Sequence, residues 1–197
     1  MKIIIMLFAV LLSATTLSAQ KMEKTKVTGK VVILLAHPNF KESQANKALI
    51  DAVKDMPGVV ILDLYAEPFD AEAHKKILSE AKAVVFQFPF YWASAPSQLK
   101  KWLDEIFTPL AQTEVVKDKP LMVVTTTGSE YEAYRSGGRN HFTMDELLRP
   151  YQLVANHSGM AWQTPHVVYG VATPAAAENL KEGTKIYRQR IEALLKK

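Results

Sequence analysis

Residues 31–46 read VVILLAHPNFKESQAN. An unbroken apolar run of this length is the mark of a strand buried on both faces, as in a parallel sheet. The polar stretch behind it leads straight into residues 43–56 (SQANKALIDAVKDM), where Ala45, Leu49, Ala52 and Val53 recur on one helical face and Ser43 stands near the N-cap. A buried strand followed by an amphipathic helix is the repeating unit of α/β proteins.

The same alternation continues outward. Pro57-Gly58 ends the first helix, and residues 59–64 form a second strand. A polar-faced helix over 71–81, a strand over 83–88 and a helix over 96–107 come next. Pro120 opens a fourth strand over 121–127, a helix covers 144–156 despite Pro150, a fifth strand spans 160–169, and a helix over 175–195 closes the chain. The fold class is α/β, with five strands and helices on both faces. No repeat or change of composition divides residues 30–197, which read as one domain behind a short tail at 20–29.

Composition narrows the chemistry. The 197 residues are 48% hydrophobic and 22% charged, enough for one full core. The net charge of +4 is mild and its lysines are scattered, so nucleic acid is not an expected partner. With no cysteine, disulfides, thiolate metal sites and cysteine nucleophiles are excluded, and any redox chemistry must come from a bound cofactor. The five histidines, at 37, 74, 141, 157 and 166, show no tight ligand spacing, and no metal site is expected. His74, beside Lys75 and Lys76, reads as a solvated residue of a charged helix face.

The first nineteen residues follow another logic. Lys2 is followed by an apolar run over 3–12 and a small, polar stretch over 13–19. This order predicts a secretory signal peptide cleaved before Gln20 and export to the periplasm; left unprocessed, the segment implies a cytoplasmic protein. A spanning anchor would need about 20 apolar residues.

In a doubly wound sheet, ligands bind beyond the carboxyl ends of the strands. After the first strand, His37 and the run Ser43-Gln44-Ala45-Asn46 sit at a helix N-terminus, where free N–H groups, a hydroxyl and an amide suit a single phosphate. Neither G-x-G-x-x-G nor a P-loop lysine is present, which argues against dinucleotide and nucleoside triphosphate sites. An ordinary capped loop is the alternative. After the third strand, Pro89-Phe90-Tyr91-Trp92 offers rigid aromatics to flank a flat ring, unless they are core. The fourth strand ends in Thr126-Thr127-Gly128-Ser129, whose backbone N–H groups could meet ring carbonyls; threonine is also simply a good strand former.

Taken in order, these three loops resemble the flavodoxin-like NAD(P)H:quinone oxidoreductases, which include the bacterial modulators of drug activity and the ancillary flavoproteins of potassium efflux. His37-Pro38 with Ser43–Asn46, the segment from Gln87 to Trp92, Thr126-Thr127-Gly128, and residues 142–150 (FTMDELLRP) carry the resemblance. It implies a flavodoxin-like three-layer sandwich with a parallel sheet of order 2-1-3-4-5. It also implies FMN, or FAD, with phosphate over Ser43, Gln44, Ala45 and Asn46, ring along Pro89 to Trp92, and ring edge at Thr126 to Ser129. Tyr134 matches the family's tyrosine near the flavin, and His141 lies one residue beyond a position, here Asn140, where some relatives carry a proton-relaying histidine. Ser129 replaces the family's second glycine, and the connection 108–119 is short. The implied function is electron transfer from NAD(P)H through flavin to a quinone, in a homodimer. An exported member would draw instead on a membrane quinol or a protein donor. An electron carrier, or a regulatory flavoprotein on a membrane-protein partner, is the alternative.

Overall fold

The computed structural model describes residues 29–66 and 68–196; the expected signal peptide and most of the tail lie outside the described residues. The elements are β1 (Lys30–Leu35), α1 (Ala45–Val53), β2 (Val59–Asp63), α2 (Ala71–Ser79), β3 (Ala81–Pro89), α3 (Ser97–Trp102), α4 (Thr108–Ala111), β4 (Pro120–Thr126), α5 (Met144–Leu147), α6 (Arg149–His157), β5 (Ala161–Trp162), β6 (His166–Val168) and α7 (Ala176–Lys196). The sheet is parallel, in the order β2-β1-β3-β4-β5, with β6 also paired to β4.

Alternation along the buried strands sends side chains to two cores. Val32, Leu34, Val84, Phe86, Leu121 and Val123 pack with Leu99, Trp102 and Tyr151 on one face. Val31, Ile33, Leu35, Val85, Met122 and Val124 pack with Leu49, Val53, Tyr187 and Ile191 on the other. The continuous apolar runs are thus the direct consequence of a sheet covered on both sides.

Proline accounts for the departures from the sequence expectations. The fifth strand, expected unbroken over 160–169, is the two short strands β5 and β6. Pro165 between them has no N–H for a ladder, and Arg190 instead binds the carbonyls of Thr164 and Pro165. The helix expected over 144–156 is two, because Pro150 cannot donate to the carbonyl one turn back. Leu148 ends α5 by donating to the Met144 carbonyl and starts α6 by accepting from Tyr151. The start of α5 follows the sequence: Thr143 and Glu146 form a reciprocal capping box. The third helix runs past residue 107. A π turn over Leu103–Phe107 joins α3 to α4, widened ahead of Pro109, and Thr108 Oγ1 donates to the Leu103 carbonyl.

His74 is not a free surface side chain. Its Nδ1 accepts the indole N–H of the fully buried Trp102 at 2.9 Å, and half-burial lowers its proton affinity. Helical spacing shows that His74 lies beside two lysines; only packing of α2 on α3 shows its other side.

Candidate functional site

The carboxyl ends of β1, β3, β4 and β6 enclose a cleft of about 580 Å³. His37, Asn39, Glu42, Ser43, Gln44, Ala45 and Asn46 line one end, Pro89, Phe90 and Tyr91 one wall, and Thr126, Gly128, Val171 and Ala172 the other. Most of the residues singled out in the three loops therefore meet in one place. Among the described residues, no lysine or arginine lines it.

At the α1 end, the Ser43 hydroxyl accepts the Asn46 N–H at 3.1 Å, the bond expected of a residue opening a helix. The N–H groups of Gln44 and Ala45 have no carbonyl of α1 to donate to. With the Ser43 O–H, they make a neutral donor set at the positive end of the helix dipole. Asn46 behaves differently from its expected role as a phosphate donor. It is 1% exposed, and its Nδ2 donates inward to Thr126 Oγ1 at 3.1 Å. His37 accepts the Asn39 N–H on Nδ1, which leaves the proton of its neutral form on Nε2. Burial pulls its proton affinity down, against the opposing charge of Asp63, so the ring is neutral at neutral pH.

The aromatic wall is split. Phe90 donates its N–H to the Thr126 carbonyl at 2.9 Å, and Tyr91 stands edge-on to His37. Trp92 leaves the wall: it is 100% exposed and does not line the cleft. Trp92 and Ala93 both have positive φ, 49° and 59°, in a tight turn closed by reciprocal bonds between Tyr91 and Ser94. Two successive left-handed residues that are not glycine cost about 1–2 kcal/mol each. The Tyr151 hydroxyl holds the turn's exit by accepting the Ala95 N–H at 2.9 Å.

On the β4 side, Gly128 lines the cleft but Thr127 and Ser129 do not. The Thr127 N–H donates to the Val168 carbonyl, and Val171, Ala172 and Gly170 donate back to Thr127, Gly128 and Ser129. This lacing spends the Thr127 N–H that the sequence suggested for a ring carbonyl. It also brings in Val171 and Ala172, which sequence reasoning missed, although both follow a strand end. Tyr134 stands behind the wall, edge-on to Phe90 at 6.1 Å and tilted against Tyr169 at 5.8 Å. Tyr169 has its ionisation pushed up to about 12 by burial and by its neighbours Asp145, Tyr131 and Tyr134. His141 is exposed, on a left-handed turn (φ 59°), and does not line the cleft.

A larger cleft of about 1010 Å³ lies between β6 and α7, lined by Glu130, Glu132, Asp145 and Glu182 among others. Four carboxylates there would repel a phosphate. A phosphate-bearing cofactor fits the strand-end cleft, where Glu42 is the one acidic lining residue among the described residues.

Residues 29–191 match the family model described as flavodoxin-like fold, and the chain belongs to that family. It is 34% identical to the glutathione-regulated potassium-efflux system ancillary protein KefG of Yersinia enterocolitica, over 84% of this chain and 94% of that protein. Among solved structures, general stress protein 14 of Treponema denticola, in complex with FMN, superposes with a TM-score of 0.78 at 28% identity, covering 84% of this chain and 99% of that one. An NADPH-quinone reductase from P. pentosaceus gives a TM-score of 0.74 at 26% identity, covering 82% and 97%.

Proposed function

We propose that the protein is an FMN-dependent oxidoreductase that passes reducing equivalents to a small acceptor of the quinone type. The observation that carries this reading is the strand-end cleft itself: an uncharged donor set at a helix N-terminus faces a wall of proline and aromatic residues across a space open to solvent. The likeness to an FMN complex and to an NADPH-quinone reductase supports it.

Ser43, Gln44 and Ala45 would hold the phosphate, and Pro89 to Tyr91 with Gly128, Val171 and Ala172 would hold the ring system. When bound, FMN supplies two-electron redox chemistry, taking electrons from NAD(P)H and giving them to the acceptor. The chain's own part is to orient and to shelter. The dipole of α1 offsets the phosphate charge, the lacing of 127–129 to 168–172 makes the far wall rigid, and neutral His37 offers Nε2–H at the phosphate end. Tyr134, edge-on to Phe90, lines the neighbouring depression with Tyr131, Asp145 and Tyr169.

Reconstitution with FMN followed by turnover with NADH or NADPH and menadione tests the reading. Tight FMN binding and quinone-dependent oxidation of the nicotinamide are expected; absence of FMN binding overturns it. Tyr134→Phe is expected to keep the cofactor and to slow one half-reaction in stopped-flow absorbance traces. The likeness to KefG favours a second reading, in which the same flavoprotein also docks on a membrane protein; co-purification from membranes checks it. The reading includes a homodimer in which a second copy covers Trp92, a tryptophan otherwise wholly in water, to be checked by analytical ultracentrifugation of wild type and Trp92→Ala. Export remains part of the proposal: the mature protein is expected to begin near Gln20, which mass spectrometry of the native protein decides.

A further inference from the structure

A chain of hydrogen bonds crosses the core beneath the cleft. Tyr187 on α7 donates its hydroxyl to Gln87 Oε1 at 2.9 Å. Gln87 Nε2 donates to the main-chain carbonyl of Asn46 at 3.2 Å and to its Oδ1 at 3.4 Å. Asn46 Nδ2 completes the chain to Thr126 Oγ1. Gln87 and Tyr187 have no exposed surface at all, and neither lines the cleft, whereas Asn46 and Thr126 do.

Such a row of polar groups is an expensive way to fill a core, because each would cost free energy if left unpaired and apolar side chains of the same volume would not. Fully satisfied, it makes its members rigid. Among the described residues, no buried side-chain polar atom lacks a partner. Burial pushes the Tyr187 phenol far up, so it stays protonated and remains a donor.

The register of α7 is locked by the same neighbourhood. Gly183 packs so closely that a Cβ there would lie 2.7 Å from Val168 Cγ2. The Gly183 carbonyl lies 3.0 Å from His166 Nε2, and the His166 ring stacks on Tyr187 at 5.7 Å with 9° between planes. One residue beyond Tyr187, Arg188 binds the Ala52 carbonyl at 2.8 Å, near the far end of α1. Successive residues of α7 thus hold both ends of α1.

We propose that Tyr187 and Gln87 are positioning residues for the cofactor phosphate: acting through Asn46, they fix the first turn of α1 so that the Ser43 hydroxyl and the Gln44 and Ala45 N–H groups converge on one point. This rests on the FMN reading above. The phosphate makes the prediction selective, since riboflavin has the same ring system and no phosphate.

The test measures dissociation constants of FMN and riboflavin for the apoprotein by fluorescence titration, in wild type, Tyr187→Phe, Gln87→Met and Ile191→Val. Tyr187→Phe removes one hydroxyl and strands Gln87 Oε1; its FMN Kd is expected to rise about tenfold, with riboflavin affinity unchanged and the ³¹P resonance of bound FMN shifted. Gln87→Met should do the same. Ile191→Val, on the same buried face of α7, should lower the melting temperature and leave both constants alone. Equal weakening of FMN and riboflavin, or an unchanged FMN constant in Tyr187→Phe, overturns the proposal. Failure of wild type to bind FMN overturns the functional reading first, and this one with it.

Discussion

The two walls of the cleft are built on opposite principles. The phosphate end rests on the core: Asn46 is tied to Gln87 and Thr126, Gln87 to Tyr187, and α7 is keyed into β6 by Gly183 and His166. The turn after the aromatic wall rests on local bonds, with Trp92 and Ala93 in left-handed backbone between two reciprocal bonds of Tyr91 and Ser94, and Tyr151 bracing its exit and the Phe90–Thr126 bond its entry. The part that, on the proposed reading, recognises one fixed group is preorganised by buried structure. The turn at Trp92 and Ala93 carries left-handed backbone and an exposed ring on local support.

On that contrast, damage at the α1 end should cost both stability and cofactor, and damage at the Trp92–Ala93 turn, which does not line the cleft, should cost neither. The largest effect is expected for Asn46→Ala, which strips Thr126 Oγ1 and Gln87 Nε2 of a buried partner and opens a cavity, for a loss of about 2–3 kcal/mol in urea unfolding. Acid should attack the same wall. Burial, reinforced by Arg190, holds His166 down to about 4 from 6.5, against the opposing bond to Gly183. The folded form therefore binds fewer protons than the unfolded form between these values, and stability should fall as pH drops from 6.5 towards 4, by at most roughly 3 kcal/mol. His166→Gln should flatten that part of the pH profile. Less is expected of Ser43→Ala, which removes a cap and a phosphate donor together: FMN affinity should weaken by about 1–2 kcal/mol, with a smaller loss of stability.

The smallest effect, and of opposite sign, belongs to the turn that follows the aromatic wall. Trp92→Gly removes a side chain that buries nothing and places glycine where φ is 49°, so the apoprotein should be unchanged or up to about 1 kcal/mol more stable in urea. Clear destabilisation of the monomer would erase the distinction between the α1 end and this turn.

Much of the fold was legible because burial leaves a plain trace in residue order. The run 31–36, the heptad-like face of Ala45, Leu49 and Val53, and the capping box of Thr143 and Glu146 needed no tertiary information. The prolines at 150 and 165 were visible too, but whether a proline bends, splits or ends an element depends on which carbonyls and side chains stand nearby to replace the missing bond. Within the site, the loops at the strand ends were found from order alone, while the direction of each side chain was not. Asn46 and Ser43 are three residues apart on the same turn and both line the cleft, yet the Asn46 side-chain amide is bonded inward to Thr126 and Gln87.

By itself, then, the sequence determined the α/β order of elements, the absence of thiol chemistry and the three segments that could meet at one sheet edge, since each follows from local pattern and composition. Tertiary structure alone decided that Thr127 is spent on Val168, that Trp92 stands in water, and that Tyr187, more than fifty residues beyond the last of those segments, reaches Gln87 beneath the loop that opens α1. Those are pairings across the sheet, and a hydrogen bond between distant residues leaves no periodicity in the chain that makes it.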